Sequence, residues 1–161
     1  MSGIARFMRV SPERFRLDWE DAFPDVPLPQ PPQMPRRATA GSAGYDFFAP
    51  RGFSLAPGET VKMPTGVRAR IADGWVLMLF PRSGLGFKYR LQLNNTVGIV
   101  DADYFGAKNE GHIFVKLTNA GDRPMSVAAG EAFAQGVFVP FGLTEDDDAS
   151  AERVGGFGST G

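Results

Sequence analysis

The chain predicts an all-β fold: a jelly-roll-like barrel with a short N-terminal helix and a flexible glycine-rich C-terminal tail. Three observations predict it. Short apolar runs at 74–80 (GWVLMLF), 112–117 (HIFVKL) and 132–141 (AFAQGVFVPF) are rich in β-branched and aromatic residues. Clusters of Gly, Pro, Asn and Asp bound each run, as strands joined by turns require. The load of 20 glycines and 13 prolines opposes a helical bundle and supports many turns.

A further apolar stretch, 61–71, is broken by Pro64 and Gly66. Ahead of the strands, Ser11-Pro12 followed by Phe15, Trp19 and Phe23 reads as a capped helix with one apolar stripe, stopped by Pro24. From Pro24 to Pro35 proline is too dense for regular structure, so an extended connector is expected. The organisation is therefore one domain: helix and connector at 1–35, a β jelly-roll catalytic body at 36–144, and an acidic linker with a mobile lid at 145–161. No internal repeat is evident.

At 161 residues and 43% apolar content the chain is the size of one globular domain. With 17 basic against 18 acidic residues, it lacks the basic excess of a protein that grips nucleic-acid backbone. A small anion remains possible, because a few placed arginines suffice. Cysteine is absent, which excludes thiolate metal sites and cysteine nucleophiles. His112 is the sole histidine and reads as a strand or turn residue, with a Ser-His-Asp triad the remote alternative. No apolar run reaches membrane-span length and none near Met1 has signal-peptide character, so a cytoplasmic protein is expected.

Three segments carry candidate chemistry. Arg82-Ser83-Gly84 follows a buried-looking strand; a forked cation, a hydroxyl and turn amides suit phosphate, although an ordinary turn with a solvated Arg is the plain alternative. In 95–104 (NTVGIVDADY), Asn95 holds the donor and acceptors needed to read a pyrimidine edge. Gly98 would permit close approach of a strand or ligand, and Asp101 follows an apolar pair expected to desolvate it and raise its basicity. A β-hairpin with turn acids explains the same residues. The tail, 153–161 (RVGGFGSTG), is either a disordered terminus or a lid. It lacks the lysine and following helix of a P-loop.

Taken in order, these segments resemble the trimeric dUTPase family. Residues 38–46 (ATAGSAGYD), PRSGLG from Pro81, GIVDADY from Gly98, GEAFAQ from Gly130 and GGFGSTG from Gly155 resemble its five motifs. The resemblance implies a jelly-roll homotrimer that converts dUTP to dUMP and pyrophosphate with Mg2+, each site built from all three subunits. It implies phosphate binding by Arg82, Ser83 and Gln135, with Gly84, Gly158 and Ser159 also binding substrate. Asn95, with backbone at Gly98 and Ile99, resembles the uracil reader, and Tyr104 the aromatic that packs on deoxyribose. Asp101 resembles the water-activating aspartate, and Asp46 the one that holds magnesium through water. Arg153 resembles the residue reaching the terminal phosphate, and Phe157 the one covering uracil.

The chain departs from the usual pattern at four places. Ala132-Phe133 stands where a basic residue and an aliphatic are usual, and Pro81 where glycine is common. The stretch 105–112 (FGAKNEGH) is longer than in the shortest members and, like 6–19, resembles phage and Gram-positive versions. The spacing from Arg153 to GGFGSTG is contracted. Two alternatives accompany the main expectation. A dCTP deaminase shares the fold, but it usually shows Asp-Pro-Gly where Asp101-Ala102-Asp103 stands here. A dUTPase-fold regulatory protein would use 105–112 as a surface for a protein partner. Neither a nucleic acid nor a membrane is expected as partner.

Overall fold

The computed structural model describes residues 3–156. Strand β1 (Ala5–Arg9) precedes helix α1 (Pro12–Ala22), and β2 (Arg36–Arg37) follows the connector. Next come β3 (Tyr45–Phe48), β4 (Phe53–Leu55), β5 (Thr60–Pro64), β6 (Val67–Ile71) and β7 (Trp75–Pro81). Helix α2 (Ser83–Tyr89), β8 (Leu91–Leu93), β9 (Gly98–Val100) and a 3-10 helix (Ala102–Gly106) lead to β10 (Phe114–Asn119), β11 (Met125–Val127) and β12 (Ala132–Pro140).

The pairing is nested. β3 pairs with β12, β4 with β11 and β5 with β10, all antiparallel. First meets last and inner meets inner, as in one long ribbon folded over on itself, which is the jelly-roll pattern. Among the described residues the strands make four sheets rather than one closed barrel, the largest ordered β2-β3-β12-β7-β9. Strand alternation supplies the core: Val67, Ala69 and Ile71 point inward from β6, and Val115 and Leu117 from β10. Phe47, Leu77, Leu79 and Phe133 fill the space between the layers.

β1 has no counterpart in the sequence expectation, since ARFMR carries no β-branched residue. It becomes a strand by pairing with β6, Phe7 opposite Ala69, which seats Phe7 among Tyr45, Phe47 and Phe138. Tertiary pairing overrides weak propensity here.

Helix α1 starts where the sequence puts it. The Ser11 hydroxyl accepts from the Arg14 amide at 3.1 Å and Pro12 occupies the first turn. Its apolar stripe is buried through Phe15 and Trp19, and the Trp19 indole donates to the Val26 carbonyl at 3.2 Å. Beyond this packing, two polar clasps tie it to residues 110–112. Glu110 accepts from the Ser11 amide at 2.8 Å and from the Ser11 hydroxyl at 2.6 Å. His112, fully buried, sits 2.6 Å from Asp18 through Nδ1 while its Nε2 accepts the Gly66 amide at 2.8 Å. An accepting Nε2 makes the ring neutral, with the proton on Nδ1 facing Asp18. Because Nε2 meets a backbone amide and not a hydroxyl, His112 belongs to no nucleophilic triad.

This arrangement predicts acid sensitivity. Burial is the largest effect on the ring and holds its pKa below the usual 6.5, although Asp18 pulls the other way. As pH falls through 6.5, the unfolded chain takes up the proton before the folded one, so stability is lost on the acid side. The urea midpoint should drop between about pH 8 and about pH 5.5, and a flat profile there would contradict the buried neutral ring.

Candidate functional site

Strand β7 sets the geometry, because β12 and β9 flank it and carry the candidate residues. On one side Gln135 lies opposite Phe80 and also opposite Asp46 of β3; on the other Gly98 lies opposite Leu79 and Val100 opposite Leu77. Two groupings result, one around Gln135 and Pro81 and one running from the Asn95 hairpin along β9 to Asp101.

The first cluster follows Pro81. The Gln135 amide donates to the Pro81 carbonyl at 3.2 Å and to the Ser83 hydroxyl at 3.3 Å. A Cβ on Gly44 would overlap Gln135 Oε1, so glycine there lets β3 and the Gln135 side chain meet. Asp46 completes the row. Arg82, Ser83 and Gly84 are exposed. The expected glycine-bearing turn is instead helix α2. The Arg82 carbonyl accepts from the Leu85 and Gly86 amides, both at 3.0 Å, and Arg90 ends the helix in the left-handed region at φ 53°. A C-terminal cap closing on the i−4 and i−5 carbonyls stabilises a helix that two glycines weaken.

The second cluster begins at a tight hairpin. The Thr96 amide donates to the Leu93 carbonyl at 2.9 Å across Asn94-Asn95, and Thr96 itself is left-handed at φ 68°. A β-branched residue there is strained by about 1–3 kcal/mol, a cost typical of positions fixed by function. Asn95 is exposed at the tip. Gly98 is explained by strand approach: a Cβ would lie 2.9 Å from Leu79 Cβ.

Asp101 follows β9, and here the sequence expectation needs correction. Strand alternation sends Val100 into the core but Ile99 outward at 47% exposure, so the apolar pair does not shield the carboxylate. The Asp101 side chain stays 48% exposed and accepts from Arg153 Nη2 at 2.6 Å, while Asp103 accepts from Arg153 Nε at 2.7 Å. One guanidinium thus spans both carboxylates, with its central carbon 5.9 Å from the Tyr104 ring centre. Tyr104 is buried; its hydroxyl donates to the His112 carbonyl at 2.6 Å and accepts from the Asn109 amide at 2.8 Å. Burial pushes the phenol up to about 12, so it stays neutral at physiological pH.

Beside Asn95 runs a groove of about 390 Å³ lined by Lys62, Asn94, Asn109, Phe114 and Lys116, a size suited to part of a nucleotide. Sequence reasoning passed over Asn109 and the two lysines, because partners distant in the chain bring them there. Phe157, Gly158 and Ser159 lie outside the described residues. Among the described residues no group of three or more His, Asp or Glu could hold a metal ion by itself.

The register separates Asp101 from Arg82. Continuing β9 past Val100 puts Asp101 level with Val76, six residues from Arg82, or about 20 Å along the strand. Groups that act on one reacting centre must stand within about 3–3.5 Å of it or of each other. Within one chain Asp101 and the Arg-Ser corner therefore stand apart along β7.

A half-exposed carboxylate, an Asn-bearing hairpin and an Arg-Ser corner on a nested jelly roll offer the groups that a nucleotide-binding β protein uses. The dUTPase family model matches residues 30–161. The deoxyuridine 5'-triphosphate nucleotidohydrolase of Lactococcus lactis is 44% identical over 131 residues, covering 80% of this chain and 87% of that one. The corresponding protein of Chromobacterium violaceum is 43% identical over 136 residues, with the same shares covered. Among solved structures, the dUTPase of Streptococcus mutans matches with a TM-score of 0.64 and 36% identity over 86% of this chain and 98% of that one. A dUTPase of Staphylococcus bacteriophage 80alpha, at 20% identity and TM-score 0.66 over 94% and 98% of the chains, shares the fold. The chain belongs to the dUTPase family.

Proposed function

We propose that the protein hydrolyses dUTP to dUMP and pyrophosphate, in sites formed between the subunits of a homotrimer in the cytoplasm. The observation that carries this reading is the outward carboxylate of Asp101, clasped by Arg153 beside Tyr104 and one short strand away from Asn95. Such a carboxylate can take a proton from a water once Arg153 leaves it. That water would attack the α-phosphorus in line; the new O–P bond forms as the bond to the bridging oxygen breaks, and pyrophosphate leaves with the electron pair.

Asn95, with backbone at Gly98 and Ile99, reads uracil, and Tyr104 lies against the deoxyribose so that a 2′-hydroxyl has no room. Arg82, Ser83, Gly84 and Gln135 of another subunit bind the phosphates, in keeping with the distance between Asp101 and Arg82. Arg153 exchanges its carboxylate partners for the terminal phosphate, Phe157 covers the base, and Gly158 and Ser159 close over the phosphate chain.

A single carboxylate, Asp46, next to Gln135 fits a magnesium ion held mainly by phosphate oxygens and water, which is how Mg2+ is usually bound. When bound, the ion neutralises charge on the phosphate oxygens.

The test is pyrophosphate release with magnesium and each deoxynucleoside triphosphate in turn. Only dUTP should be turned over, with dCTP slower by about 10⁴-fold because swapped donors and acceptors at Asn95 leave buried groups unpaired. Ammonia from dCTP would replace this reading with a deaminase.

A further inference from the structure

The insert 105–112 does more than lengthen a loop. Its Asn109 donates from Nδ2 to the Tyr104 hydroxyl at 2.8 Å, and its own Oδ1 accepts the Gly111 amide at 3.2 Å. The Tyr104 hydroxyl donates in turn to the His112 carbonyl at 2.6 Å. One phenol is thus gripped at its tip by two groups of the same insert. Other contacts of the insert fix it in place. Arg68 donates to the Phe105 carbonyl at 2.6 Å and stacks on the Phe105 ring at 3.6 Å. Glu110 is held by Ser11, and the His112 ring by Asp18 and the Gly66 amide. These four anchors lie on β6 or its turn and on helix α1 or its cap, outside the candidate site.

We infer that Asn109 is a positioning residue for Tyr104: with the α1-anchored insert it fixes the ring that discriminates deoxyribose from ribose. The inference rests on the assignment of Tyr104 to the sugar. An aromatic ring rejects a hydroxyl only if it cannot retreat, and a Tyr ring held at Cβ alone can swing about χ1 and χ2. Core packing around the buried ring and two hydrogen bonds at its far end together remove that freedom. Asn109 also lines the groove beside Asn95, so the same residue that steadies the sugar face borders the base side. A glycine at 111, left-handed at φ 69°, is required for the insert to fold this tightly, since a Cβ would lie 2.6 Å from the Tyr104 carbonyl.

The experiment compares kcat/KM for dUTP and UTP in the full-length protein. Asn109→Ala should lower the dUTP/UTP ratio by roughly five- to tenfold, the size of one lost neutral hydrogen bond, mainly through a lower KM for UTP. Asn109→Leu keeps the approximate size, removes the donor without adding a charge, and should lower it similarly; it substitutes if the alanine variant does not fold. In a Tyr104→Phe background, which lacks the hydroxyl, Asn109→Ala should produce no further loss. An equal loss there, or an unchanged ratio in Asn109→Ala, would overturn the inference. Tyr104→Ala separates the two ideas. If it collapses the ratio while both Asn109 variants leave it intact, the sugar assignment stands and the positioning role falls. If Tyr104→Ala itself leaves the ratio intact, the sugar assignment fails first.

Discussion

Arg82→Ala and Asp101→Asn, each inactive alone, should regain dUTP hydrolysis when unfolded and refolded together. The expectation follows from β-strand register: Asp101 falls level with Val76 while Arg82 follows Pro81, about 20 Å further along β7. No loop between them is long enough to bend one onto the other, because Arg82 is fixed at the start of α2 and Asp101 at the start of the 3-10 helix. In the proposed shared site the two residues come from different copies. In a randomly mixed ring, a given site needs an intact Asp101 from one subunit and an intact Arg82 from the next, so about a quarter of the sites should work. Size-exclusion chromatography of the mixture followed by pyrophosphate assay reads this directly. Absence of recovery in a mixture that assembles normally would place both residues in one chain's site and refute the shared arrangement.

Asp101→Asn should lower kcat by about 10³-fold, the range removed with a general base, while dUTP affinity holds or tightens. The carboxylate repels the triphosphate before reaction, so its neutral isostere relieves that repulsion even as it loses the proton acceptor. Stability should change by less than about 1 kcal/mol, because the Asp101–Arg153 pair involves a half-exposed carboxylate and is screened by solvent. Isothermal titration with a non-hydrolysable dUTP analogue, beside single-turnover kinetics, separates binding from chemistry. Turnover within tenfold of the wild type would remove Asp101 from its assigned role.

Much of this was legible in the residues themselves. The Ser11 cap, Pro12 and the Phe15/Trp19 stripe specify α1 locally, and strands β7, β10 and β12 follow from short β-branched runs between turn residues. Local chemistry misleads where distant partners decide. ARFMR becomes β1 because β6 offers an edge, and the Arg-Ser-Gly segment becomes helix α2 because the Arg82 carbonyl and a left-handed Arg90 close it at both ends. At the site, residue types for base, phosphate and sugar could be read from motifs. The exposure of Asp101 could not, since it depends on which face of β9 Ile99 takes. Nor could the Asn109–Tyr104–His112 grip, whose meaning depends on His112 meeting Asp18 across 94 positions of sequence.

If Asp101 directs water at the phosphorus nearest the sugar, the oxygen of that water must end up in dUMP. Hydrolysis of dUTP in ¹⁸O-enriched water under single-turnover conditions, read by mass spectrometry of both products, should put the label in dUMP and none in pyrophosphate. Label in pyrophosphate would mean attack at the β-phosphorus, and the geometry assigned to Asp101 would be wrong.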